Sequence, residues 1–191
     1  TQGTAANQPS CKTTSLYTIN GKQAFKGTAG STGIQLATVG SVAHGIGTGD
    51  FLVSTIINRA ADSVAPPLWA IGSTGFQVIG YARGFPFSSP AIYIAGTYNH
   101  FPASNAPLTV GANYVLTFTR ESGTLKCYIN GTLNGTTYAN STNITSDRLV
   151  LLGERTGSPW GGSDTILEHV MATSVTNQAA IIASQMTYAG I

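Results

Sequence analysis

The sequence predicts an all-β protein, one antiparallel two-sheet sandwich with a single short helix near the C-terminus. Three observations carry that prediction. Runs of strand length follow one another ("DFLVSTIIN", "PLWAIG", "FQVIGYA", "AIYIAGTY", "NYVLTFTR", "LKCYIN", "RLVLLG", "ILEHVMAT"), punctuated by Gly, Pro and Asn. Only "NQAAIIASQM" has helical spacing, with Ala180, Ile181 and Ser184 on one side and Thr176 or Asn177 placed to cap it. No repeat or long linker interrupts the 191 residues, a usual size for one domain spanning 1–191.

Individual runs read as follows. In "NYVLTFTR", Tyr114, Leu116 and Phe118 share one face and Val115, Thr117 and Thr119 the other, the alternation of a strand with one side on a core. In "LKCYIN", Leu125, Cys127 and Ile129 point inward, and Lys126 and Tyr128 outward. Asn130-Gly131 then supplies a type I′ hairpin turn, since both residues tolerate positive φ. Trp69 in "PPLWAIG" is assigned to the core.

Charged residues make up only 8% of the chain, with a net charge of +2 and the cations spread singly. There is no basic stripe for nucleic acid and no apolar run approaching the ~20 residues of a membrane-spanning helix. No signal peptide is visible, so the chain reads as processed or as cut from something longer. His44, His100 and His169 sit in unrelated segments without metal-ligand spacing, and no metal or cofactor is expected. "GIGTG" at 45–49 lacks the Lys-Ser/Thr of a phosphate loop and leads into a strand, so it is a turn.

Cys11 and Cys127 lie far apart in sequence, and two readings stand side by side: a disulfide closing a long loop, or two buried thiols. Four Asn-x-Ser/Thr triplets begin at Asn130, Asn134, Asn140 and Asn143. They are acceptors only in a cell that glycosylates them, and "INGT" and "LNGT" are also turn chemistry.

The order of "NYVLTFTRESGTLKCYINGTLNG", "DRLVLLGERTGSPWGGSDTILEHVMAT" and the capped helix resembles the concanavalin A-like, laminin-G-type jelly-roll domains. The start, "TQGTAANQPSCKTTSLYTINGKQAFKGTAGSTGIQL", is similar to the leader of such domains in phage and bacterial surface proteins. The resemblance covers nearly the whole chain. It implies an extracellular or virion-surface location and frequent use of the fold for sugars. It departs at "FKGTAGSTG", residues 25–33, where the family's acidic cluster has no carboxylate, so a calcium site there is not expected. Glu168 matches the family's Glu, for which a structural hydrogen-bonding role is expected.

Related jelly rolls include glucanases, which place two carboxylates close together on one strand face. Asp164 and Glu168 share a face by simple alternation, but their Cα atoms would sit roughly 13 Å apart, too far for that pair. The chain is therefore expected not to be an enzyme, with a glycoside hydrolase as the remote alternative. What remains is recognition, in which aromatic rings meet the apolar faces of sugars and amides or Arg meet the hydroxyls. Candidates are Tyr81 and Arg83 in "GYARGFPF", Tyr98, Asn99 and His100 in "GTYNHF", and Trp160 in "GSPWGG". For four of these a structural role competes: Tyr81 and Tyr98 as strand-pairing aromatics, His100 as a turn residue, Trp160 as a loop plug. The expected function is a carbohydrate-binding or adhesion module. The alternative is a structural or decoration subunit of a virion, fibre or filament. The corresponding partners are a glycan or other subunits of the same assembly, including copies of this chain.

Overall fold

The computed structural model describes residues 17–19, 21–26, 34–38, 46–59, 67–72, 76–82, 89–101, 108–144, 148–151 and 164–191. In chain order the strands are β1 Tyr17–Ile19, β2 Lys22–Lys26, β3 Ile34–Thr38, β4 Phe51–Asn58, β5 Pro67–Gly72, β6 Phe76–Tyr81 and β7 Ala91–Ile94. There follow β8 Thr97–His100, β9 Asn113–Glu121, β10 Thr124–Ile129, β11 Thr132–Leu133, β12 Tyr138–Ala139, β13 Arg148–Leu151 and β14 Thr165–Ala172. Among the described residues there is one helix, α1 Gln178–Ala189, after the last strand. All strand pairs are antiparallel. The larger sheet has eight strands in the order β1-β2-β14-β4-β9-β10-β11, with β12 also on β10; the smaller has six, β3-β13-β5-β6-β7-β8. The two-sheet β-sandwich with its C-terminal helix is the predicted fold class.

Between the sheets lies the core, and its centre is Trp69. This ring is fully buried, edge-on to Phe118 across the sandwich at 5.9 Å between centroids. Its room comes from Gly80, its register partner on β6. A Cβ on Gly80 would lie 2.2 Å from Trp69 Cε2, well inside any tolerated contact.

Alternation along β9 and β10 follows the sequence reading: Leu116, Phe118, Leu125 and Cys127 face this core. The opposite face of β9 is buried as well, which differs from a strand with one side on a core. Helix α1 lies there, and Ile182, Ala189 and Met186 pack with Ile56, Val115 and Leu167. Its buried positions are Ile182, Gln185 and Ala189, one residue on from the Ala180/Ile181/Ser184 spacing. Gln185 decides that face. Ser54 donates to Gln185 Oε1, and Thr117 Oγ1, 2.6 Å from Ser54 Oγ, is then left to donate to it. Asn177 occupies the N-cap position without a side-chain cap bond, so neither expected capping interaction forms there. At the other end Gly190 adopts the left-handed conformation of a helix stop, and Lys22 Nζ donates to Tyr188 O, a cation where the helix dipole favours one.

The expected type I′ turn is present: Asn130 and Gly131 have φ of 48° and 78°. Asn130 Oδ1 also accepts from Val115 N at 2.8 Å. "AIYIAGTY" is not one strand but two, β7 and β8, folded about Ala95-Gly96 with φ of 45° and 91°. Alanine is seldom found in the left-handed region, so the residue pair gave no turn signal.

Arg120 on β9 is fully buried, and its guanidinium gathers two segments. Nε donates to Gly49 O, Nη1 to Asn140 Oδ1 and Thr142 O, and Nη2 to Gly47 O and Gly49 O, at 2.6–3.1 Å. The group sits over the Phe51 ring, 5.3 Å from its centroid. Gly47 and Ile144 complete the junction with an isolated β-bridge.

The Trp69–Gly80 contact yields a sharp prediction. Gly80→Ala forces a methyl into the indole, and such overpacking costs about 3 kcal/mol or more when backbone and ring must both move. Urea unfolding should show a clearly lowered midpoint for Gly80→Ala; a midpoint within error of the parent would contradict the packing described.

Candidate functional site

The helix covers the outer face of the larger sheet, and on the outer face of the smaller one most described side chains are buried as well, with Tyr98 the large one left exposed. The side chains of that smaller-sheet face follow from register. Ala70, Ile79, Tyr93 and Tyr98 are paired in a row across β5, β6, β7 and β8. The neighbouring row runs Pro67, Tyr81, Ala91 and His100. Ala70, Ile79, Tyr81 and Ala91 form a small apolar cluster on this face, with Tyr93 against it.

Tyr98 is the centre of the arrangement. Its ring meets Tyr93 edge-on at 4.9 Å, Tyr81 tilted at 5.7 Å and His100 stacked at 5.7 Å with 15° between planes. Despite these contacts it is 44% exposed, so its orientation is fixed by packing while much of its surface stays in solvent. Each such aromatic pair contributes about 0.5–1.5 kcal/mol. The ring is therefore set before any ligand arrives.

The end of β8 is pinned to the opposite sheet. Tyr138 on β12 donates to His100 O, and Asn134 Nδ2 donates to Phe101 O at 3.0 Å. Phe101 itself is fully buried, with its ring against Phe118 and Tyr138. Burial lowers the His100 pKa below its ordinary value, so the ring is neutral at pH 7.

The sequence-derived candidates are thus sorted. Tyr81, Tyr98 and His100 come together, although Tyr81 is buried and serves as support beneath Tyr98. Asn99 does not join them. It alternates to the core side opposite Ile92, is buried, and bonds weakly to Ile92 O and Thr97 O at 3.4 and 3.5 Å. Arg83 and Trp160 lie outside the described residues, as do Cys11 and His44. Tyr93 belongs to the cluster and was missed. The signal was the hairpin: a two-residue turn at Ala95-Gly96 sets Tyr93 opposite Tyr98.

The simple alternation that would put Asp164 and Glu168 on one face does not hold along β14. A bulge in β14 between Ile166 and Glu168 breaks the alternation. Ile166 pairs with Ile57 on the core side, whereas Glu168 pairs with Ile56 on the helix side. Asp164 is buried at the start of that strand.

Cys127 carries a thiol fully buried in the core opposite Phe118, and Cys11, with which a bridge was weighed, lies outside the described residues. Burial pushes this thiol well above its ordinary pKa, opposed by a hydrogen bond with Asn134. The four triplets are also unequal. Asn134 is buried with its amide nitrogen bonded to Phe101 O, a geometry with no room for a glycan. Asn140 is held by Arg120, and Asn130 by its turn, whereas Asn143 is exposed. Among the described residues no group of three His, Cys, Asp or Glu comes together as a metal cluster.

No protein-family model matches the chain, and no curated protein matches it in sequence. Solved structures do match in fold. The sialidase of Trypanosoma rangeli, solved with sialic acid, superposes with a TM-score of 0.60 at 13% identity over 89% of this chain and 28% of that one. The chain thus spans less than a third of the sialidase. The binding domain of Paraclostridial Mosquitocidal Protein 1 gives 0.60 at 11% identity, over 91% of this chain and 47% of that one. Domain 4 of AbnA, a GH43 extracellular arabinanase from Geobacillus stearothermophilus solved with arabinotriose, gives 0.57 at 16% identity, over 84% and 76%. These likenesses share the β-sandwich architecture.

His169 provides a pH test of the interior beneath this sheet. Its ring lies 6.4 Å from Trp69, with Nδ1 3.0 Å from Thr55 Oγ1. The residue is partly exposed, yet Nε2 reaches no solvent and has no partner. Burial lowers its pKa to about 4. As pH falls below ~6.5 the unfolded chain takes up this proton first, so stability declines until the folded pKa is passed. Between pH 7 and pH 4.5 the parent should lose about 2–3 kcal/mol more than His169→Gln in urea unfolding. Equal losses in both would show that His169 does not carry the dependence.

Proposed function

We propose that the chain is a non-catalytic carbohydrate-recognition module whose binding surface is the aromatic platform of Tyr93, Tyr98 and His100. The observation that carries this reading is Tyr98, an aromatic braced by three rings and still 44% exposed on the outer face of the smaller sheet. Sugar C–H faces stack on such rings, and phenol hydroxyls reach the sugar hydroxyls. The fold supports it: AbnA domain 4 was solved with arabinotriose and the sialidase with sialic acid. We assign the sandwich to the concanavalin A-like, laminin-G-type jelly rolls and the location to an extracellular or virion surface. The bulge that turns Glu168 to the helix side, with Asp164 buried ahead of the strand, favours recognition over hydrolysis. The second reading, a subunit of a larger assembly, is favoured by β8 itself, an uncharged edge strand beside the platform.

One or two stacked rings bind a sugar weakly, with Kd on the order of 0.1–1 mM, and adhesion then needs many copies. Calorimetry against a glycan panel should detect binding by the parent. Tyr98→Ala should weaken it roughly ten-fold or more, about 1.4 kcal/mol. Tyr188→Ala is the control, since Tyr188 on the helix is also 44% exposed. Ordered particles without sugar binding at millimolar concentration would favour the assembly reading instead.

A further inference from the structure

We infer that the platform selects uncharged saccharides over acidic ones, an inference that rests on the recognition reading and names its ligand class. The four adjacent strands β5 to β8 read "PLWAIG", "FQVIGY", "AIYI" and "TYNH", without one Asp, Glu, Lys or Arg. Among the described side chains, the polar groups on their outer face are the phenols of Tyr81, Tyr93 and Tyr98 and the imidazole of His100.

Ring electrostatics push the same way. An aromatic face carries the negative end of its quadrupole and attracts cations and C–H groups. A carboxylate laid against the same faces is repelled and loses hydration, and these four strands offer it no cation in return. A neutral sugar has neither cost. His100 also stacks on Tyr98, so part of its ring is already engaged and stays neutral near pH 7. Arg83, two residues beyond Tyr81 in sequence and outside the described residues, is the cation to exclude by experiment.

The test uses uncharged arabino-, gluco- and galacto-oligosaccharides beside matched sialylated or uronate-bearing ones, with the parent, Tyr93→Ala, Tyr98→Ala and Arg83→Gln. The neutral member of a matched pair should bind at least ten-fold tighter. Its affinity should change less than two-fold between about 0.05 and 0.5 M NaCl, because no charge pair is there to be screened. Tyr93→Ala and Tyr98→Ala should lose that binding, and Arg83→Gln should keep it. Preference for the acidic member, with a steep salt dependence or loss in Arg83→Gln, overturns the inference and leaves carbohydrate recognition standing. Binding to neither class overturns the recognition reading, and the inference falls with it.

Discussion

Arg120 holds a full positive charge inside the protein by giving every N–H it has to an oxygen. A guanidinium offers five donors in a fixed fork, and here all five find acceptors on Gly47, Gly49, Asn140 and Thr142. A buried cation that fell short of this would cost several kcal/mol, so the charge dictates where those oxygens sit. Two segments distant in sequence, 46–49 and 140–144, are thereby fixed to β9. Lysine could not replace it, because three donors on a flexible stem cannot span the same acceptors.

From this junction a line of contacts reaches the platform. Asn140, held by Arg120, lies two residues from Tyr138, whose hydroxyl holds His100 O at the end of β8. Asn134, in the same connection, holds Phe101 O. An edge strand would ordinarily be the loosest part of a sheet. Here its end is tied across the sandwich to the opposite sheet, and the Tyr98 ring stands on a support that does not need a ligand to form. Preorganisation of this kind matters most where affinity per site is small, since ordering a loose ring would offset much of the contact energy.

Much of this architecture was legible in the sequence, for definite physical reasons. The alternation of β9 and β10 follows from a side-chain period of two, and Asn130-Gly131 marks its turn because both residues accept positive φ. What was not legible depends on tertiary contacts. Ala95 takes a conformation its side chain disfavours, which hid the β7–β8 hairpin and with it Tyr93. The bulge at Leu167 re-aimed Glu168 without any glycine to announce it. Gln185 turns inward only because Ser54 and Thr117 wait there, which shifts the buried face of the helix by one residue. Asn99 looked like a ligand amide, and register alone sends it to the core side. Arg120 gave no signal of its role, because nothing local reveals that carbonyls from two remote segments converge on it.

Fold and proposed function meet in one place, the outer face of the smaller sheet, where ligand would bind in preference to the helix side. Tyrosine-selective 13C labelling reads this directly, because Tyr93 and Tyr98 lie on the smaller sheet and Tyr128 and Tyr188 on the helix side. Titration with neutral oligosaccharides should shift the ring signals of Tyr93 and Tyr98 while those of Tyr128 and Tyr188, against or on the helix, stay still. Shifts centred on Tyr128 and Tyr188, with Tyr93 and Tyr98 unmoved, would contradict the account.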